Sequence, residues 1–166
     1  SASYGTDTGA AKAVTSRVEN AWGLGATYVT SAGDTALTIG AGLSGSEVAV
    51  LNTQSAADDG GFTIGVSAVT GDLTVAVGYA DGDTTRGVGS NTNIQVDADV
   101  LKAGVKYVSG DITMNLGVVS GTATDNIFAG TDTKTDSHDE VNASVTYAVA
   151  SGVSAILGYT SVDQND

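Results

Sequence analysis

Residues 62 to 80, FTIGVSAVTGDLTVAVGYA, alternate with a period of two on both sides of a short turn. Phe62, Ile64, Val66 and Ala68 interleave with Thr63, Gly65 and Ser67. Beyond Thr70-Gly71-Asp72, Leu73, Val75, Val77 and Tyr79 interleave with Thr74, Ala76 and Gly78. Successive strand side chains point to opposite faces, so the pattern predicts a β-hairpin with one face of large apolar groups and one of Gly, Ala, Ser and Thr. Each face then needs its own surroundings.

The pattern recurs. Trp22, Leu24, Ala26 and Tyr28 alternate with Gly23, Gly25 and Thr27; after Ser31-Ala32-Gly33-Asp34, Leu37, Ile39, Ala41 and Leu43 alternate with Thr38, Gly40 and Gly42. Two further pairs of runs flank Ser109-Gly110-Asp111 and Ala150-Ser151-Gly152. These runs predict an all-β chain with hairpins over 21–44, 62–80, 99–120 and 140–162, joined by long polar connections over 45–60, 81–98 and 121–139, all in one segment, 1–166. Residues 1–20 read as a loop or strand remnant. The repeat is about forty residues long, with short turns on one edge of the sheet and long loops on the other, as in antiparallel up-and-down transmembrane β-barrels. Strands of about ten residues, tilted about 45°, rise roughly 23 Å, close to the apolar band of such a barrel.

Composition removes other classes. Nineteen acidic residues against six basic ones give a net charge of −13, the wrong sign for a nucleic-acid partner. There is no cysteine for a disulfide or thiolate metal site, and no apolar run of about 18 residues for a transmembrane helix. The chain also has no proline to protect exposed sheet edges. A closed sheet has no edges to protect.

Every aromatic side chain of the predicted strands falls on the large-apolar face. Tyr28, Tyr107 and Tyr147 lie near the short turns, and Trp22, Phe62, Tyr79 and Tyr159 near the long loops. Two aromatic rows around an aliphatic band match the two interfaces of a membrane. The competing arrangement is a soluble β-sandwich in which the same apolar face is internal.

The segments GATYVTSAGDTALTIGAGLSG, VTGDLTVAVGYADGD, GVKYVSGDITMNLGVVSG and VTYAVASGVSAILGYTSVD together resemble the C-terminal half of a general diffusion porin of the alphaproteobacterial type. The resemblance covers residues 21–162. It implies a trimer of sixteen-stranded barrels in the outer membrane, in contact with its lipid and lipopolysaccharide, passing small hydrophilic solutes passively and without a cofactor. The chain departs from that family in showing eight predicted strands and no final strand with a terminal aromatic residue, which leads us to expect a portion of a longer protein. A narrow eight-stranded barrel must fill its interior with side chains, and a face of Gly, Ala, Ser and Thr fills it poorly.

Lys102 and Lys106 fall on the small face of their strand. A lysine facing lipid at mid-depth would cost about 2 to 4 kcal/mol, so both are expected to line water, with Asn115, Thr74 and Thr113 as further pore-lining candidates. The alternative is a lysine paired with an acidic neighbour in the wall. Asp58, Asp59, Asp81 and Asp83, with Asp136, Asp139 and Glu140, put carboxylates in or beside the predicted loops, where they are expected to give the channel mouth a negative potential and a cation preference. The first four are also candidates for a loop-bound calcium ion, although no calcium-loop spacing is present. His138 is the sole histidine, and no catalytic residue is assigned. Gly40, Gly42 and Gly45 match G-x-G-x-x-G with Asp59 beyond, but they sit in an alternating strand rather than at a strand-to-helix turn, which fits close backbone packing better than a nucleotide. Asn142-Ala143-Ser144 fits a glycosylation acceptor and falls mid-strand. Three functions stand: a solute channel, a non-conducting surface barrel with a structural or adhesive role, and a soluble sandwich.

Overall fold

The computed structural model describes residues 2–6, 16–50, 57–87, 93–127 and 133–165, with side chains placed over 20–47, 59–84, 95–125 and 134–165. Nine strands form one antiparallel sheet in chain order: β1 (Ala2–Thr6), β2 (Ser16–Ala32), β3 (Thr35–Val50), β4 (Ala57–Thr70), β5 (Leu73–Gly87), β6 (Asn93–Ser109), β7 (Ile112–Ile127), β8 (Thr133–Ala150) and β9 (Val153–Asn165). All eight predicted strands are present. Two expectations are corrected.

First, of the two readings of the opening residues, loop or strand remnant, the strand holds at Ala2–Thr6 and adds a ninth to the eight expected. β1 pairs with β2 from Ala2↔Leu24 to Thr6↔Asn20. Second, the predicted long connections are mostly strand, because the ladders run on through polar sequence. Glu47 pairs with Asp58, Asp83 with Asp97, and Ala123 with Asp136. A backbone N–H and C=O pair across a ladder whatever the side chain, and the Thr and Val residues of these stretches suit an extended chain. Polarity there marks the surroundings of the strand, not its end. What remains of the connections, residues 51–56, 88–92 and 128–132, lies outside the described residues.

The four hairpin turns hold two residues each, and each contains a glycine at positive φ: Gly33 (60°), Gly71 (54°), Gly110 (58°) and Gly152 (77°). A two-residue hairpin needs this backbone to follow the twist of its strands, and a side chain there is strained. In the first three turns glycine precedes aspartate. In the fourth it follows Ser151, and there the β8–β9 ladder slips between Ala148 and Ala150.

Register carries the alternation across the whole sheet. One row runs Tyr28, Ile39, Val66, Val77, Ala103, Val118, Val141; its neighbour on the opposite face runs Val29, Thr38, Ser67, Ala76, Gly104, Gly117, Asn142, Thr160. Among the described residues no second layer covers the apolar face, and no side chain is buried. Leu24 is 56% exposed and Leu157 76%. The described residues therefore do not form the core of a soluble sandwich, and contiguous exposed apolar surface of this size marks a membrane or protein contact. The stretch from Gly40 to Gly45 lies within β3 with no helix after it, so the nucleotide-loop match has no structural counterpart.

Candidate functional site

The small face is concave. β2 and β5 approach within 8 Å, Cα to Cα, and three hollows lie on this side. The largest, about 820 Å³, is bounded by Ser44, Asp59, Gly61, Thr63, Gly82 and Val100 towards the long-loop edge. The other two, about 470 and 400 Å³, share Gly40 and Gly65 nearer mid-sheet.

Lys102 and Lys106 project from β6 on this concave side, both exposed, with Gly104 between them. Lys106 stands between Thr74 and Asn115 in register, and Lys102 between Gly78 and Val119. Thr74, Thr113 and Asn115 occupy the same face, and the Asn115 amide donates to the Ser144 hydroxyl at 3.1 Å. The five candidates therefore share one surface. Neither lysine has an ion pair among the described residues.

Sequence reasoning passed over one network on this face. The His138 ring lies 3.6 Å from the Glu140 carboxylate through Nε2, Gln164 meets its Nδ1 at 3.0 Å, and the Asn142 amide donates to Glu140 at 3.4 Å. The signal lies in the parity of β8, where positions 138 and 140 continue the alternation of Asn142 and Ser144 across the expected end of the hairpin at 140.

The same oversight misplaced the acids. Asp81 and Asp83 lie on the outer face with Tyr79, and register sets Asp99 and Asp97 directly opposite them. The hydroxyl of Tyr79 donates to Asp81 at 3.3 Å, Gln95 donates to Asp83 at 3.4 Å, and Thr122 donates to Asp99. Asp139 and Asp163 form another outward pair in register. Asp59 alone of the four calcium candidates has a described side chain on the concave face, where Thr84 donates to it at 3.2 Å; the side chain of Asp58 lies outside the described residues. The proposed calcium set is thus divided between faces. Among the described residues no three His, Cys, Asp or Glu side chains meet to hold a metal ion. The negative mouth expected from these residues likewise loses Asp81, Asp83 and Asp139 to the outside, leaving Asp59, Asp136 and Glu140 on the inner side.

On the outer face the aromatic residues keep their two rows. In β2, Tyr28 and Trp22 are six residues apart, about 20 Å along a strand, and apolar side chains occupy the interval in neighbouring strands. Phe62 and Tyr79 pack with ring centroids 5.8 Å apart. The Trp22 indole lies over Gly45 so closely that a Cβ there would stand 2.7 Å from it. The glycine makes room for the ring. Tyr107, Tyr147 and Tyr159 are exposed on the same face.

An apolar, aromatic-bordered exterior backed by a polar concave side is the arrangement of a barrel wall. The family model for Gram-negative porins matches residues 1–166. The chain belongs to the Gram-negative porin family. Solved structures similar to this porin include OmpT of Vibrio cholerae, an outer membrane protein. Its loop-L8 deletion mutant gives a TM-score of 0.56 at 19% identity over 90% of this chain and 49% of that one. The in-vitro folded trimer form gives 0.56 at 19% over 90% and 46%, and the outer-membrane expressed form 0.51 at 17% over 92% and 52%. At these identities the likeness is one of fold. The porin spans about half the length of the OmpT chains it matches. Among curated proteins, none matches it in sequence. Family and fold place it in the bacterial outer membrane as a β-barrel protein.

Proposed function

We propose that this porin forms the wall of a water-filled channel through which small hydrophilic solutes and ions diffuse passively, sorted by size and wall charge, with no cofactor and no covalent step. The observation that carries the reading is the division of the sheet: exposed apolar side chains and two aromatic rows outside, lysines and hydroxyl groups inside. In this reading the outer rows sit at the two membrane interfaces and Lys102, Lys106, Asn115, Thr74 and Thr113 line the lumen.

The channel is wide. A Gly, Ala, Ser and Thr wall would leave a narrow barrel full of voids, whereas about sixteen strands leave an aqueous lumen. Free edges at β1 and β9 are untenable in hydrocarbon. Because β1 and β9 run in the same direction, an all-antiparallel barrel takes an odd number of additional strands between them. We therefore favour a sixteen-stranded barrel of the general diffusion type found in alphaproteobacteria, assembled as a homotrimer in contact with outer-membrane lipid and lipopolysaccharide. One OmpT structure is described as a trimer form, which is in keeping with this assembly.

The test is conductance. Native full-length protein, extracted in detergent and added to a planar bilayer, is expected to give stepwise openings with a linear current–voltage relation in KCl. Correctly folded protein that never conducts would overturn the channel and leave the non-conducting surface barrel.

A further inference from the structure

The two mid-sheet hollows adjoin at Gly40 and Gly65 as one trough, and a single charge without a partner among the described residues stands at its end. Gly40, Gly65, Gly78 and Lys102 follow one another in register across β3, β4, β5 and β6, with Thr27 opposite Gly40 at the far side. At about 4.8 Å per strand the floor is about 14 Å long from Gly40 to Lys102. The first hollow is bounded by Thr27 and Thr63, and the second by Thr38, Ser67 and Lys102. The floor is low enough to admit a ligand, the rims carry hydroxyl groups, and only one end is charged.

Among the described residues no carboxylate pairs with that charge. The nearest acid on the same face of the neighbouring elements is Glu140, two strands from Lys102 and so about 10 Å away, and His138 and Asn142 already engage it. Residues facing Lys102 from β5 and β7 are Gly78 and Val119, neither charged. An ammonium left without a partner in a water-filled concavity raises the local concentration of anions. We infer that the trough is a binding station for a small hydroxylated organic anion, its carboxylate or phosphate at Lys102 and its hydroxyl groups along Thr38, Ser67 and Thr63. This rests on the channel reading for its function, but the binding itself does not depend on conduction.

Gluconate serves as the probe, with acetate as the anion that lacks hydroxyl groups. Two readouts separate the site from the channel: interruption of KCl current through native protein in a bilayer, and saturation-transfer NMR of gluconate with the detergent-solubilised protein. The expected result is saturable binding of gluconate, and block that K102Q weakens about tenfold and K102R largely retains. T38V/S67A is expected to weaken gluconate several-fold while leaving acetate unchanged. Equal behaviour of gluconate in wild type and K102Q, or parallel curves for gluconate and acetate, would overturn the binding station while leaving the channel intact. Gluconate binding lost in K102Q, in a protein that never conducts, would support the station and overturn the channel.

Discussion

The two faces of this sheet are made by the same nine strands and lie one side chain apart, yet they are built for different solvents. Val66 and Ser67 are consecutive, share one backbone, and point opposite ways; from β3 to β8 the row through Val66 is aliphatic across six strands, and the row through Ser67 is otherwise Thr, Ala, Gly and Asn. In a soluble sheet the apolar side is covered by a second layer. Here it is bare and the polar side is hollow, so the outside plays the part of a core whose other half is lipid. Side-chain period, and not overall hydrophobicity, sets which medium each residue meets.

The sharpest way to break the comparison is to put the same charge on each side. Val66→Lys is expected to destabilise the protein in lipid by about 2 to 4 kcal/mol, and Ser67→Lys by less than about 1 kcal/mol, in urea unfolding from bilayers. Equal costs would mean that the faces are not divided between lipid and water. Next in size is Gly71→Val, which forces a β-branched residue to positive φ in the β4–β5 turn and is expected to cost about 1 to 3 kcal/mol by the same measurement. Gly45→Ala brings a methyl group against the Trp22 indole and is expected to cost about 1 to 2 kcal/mol. That penalty should shrink in a Trp22→Ala background, which a double-mutant cycle reads directly. The smallest effect on stability belongs to Lys106→Gln, within about 0.5 kcal/mol, while the reversal potential in a KCl gradient moves towards cation preference. A folding change without a selectivity change would place Lys106 in the wall and not in the lumen.

Much of this was legible because one pattern does two jobs. The alternation through Leu73, Val75, Val77 and Tyr79 gave both the strand and its lipid-side face, and Gly71-Asp72 gave the turn. Reading stopped where the apolar residues stopped. Asp81, Gly82, Asp83 and Thr84 keep the same parity and the same ladder, but no hydrophobic signal marks them, so sequence alone gives a loop there and not a strand. The ninth strand was legible only as one of two readings: Ala2-Ser3-Tyr4-Gly5-Thr6 is too short to establish a period, and its existence rests on hydrogen bonding to β2. That the lysines share the small face was legible because a charge on the aliphatic side is costly. The trough at Lys102 was invisible because it depends on three glycines from three strands falling in one row, and register across separate hairpins is a property of the sheet.

The central claim, that adjacent residues of one strand meet lipid and water, is tested most directly by thiol accessibility. The chain has no cysteine, so each introduced thiol is the sole target. Val66→Cys and Ser67→Cys, each in native full-length protein in outer-membrane vesicles, would be treated with a small hydrophilic maleimide and the labelled fraction measured by mass. The account predicts rapid labelling at position 67 and protection at position 66, reversed in order by a reagent that partitions into the bilayer. Labelling of position 66 from water at the rate of position 67 would contradict it.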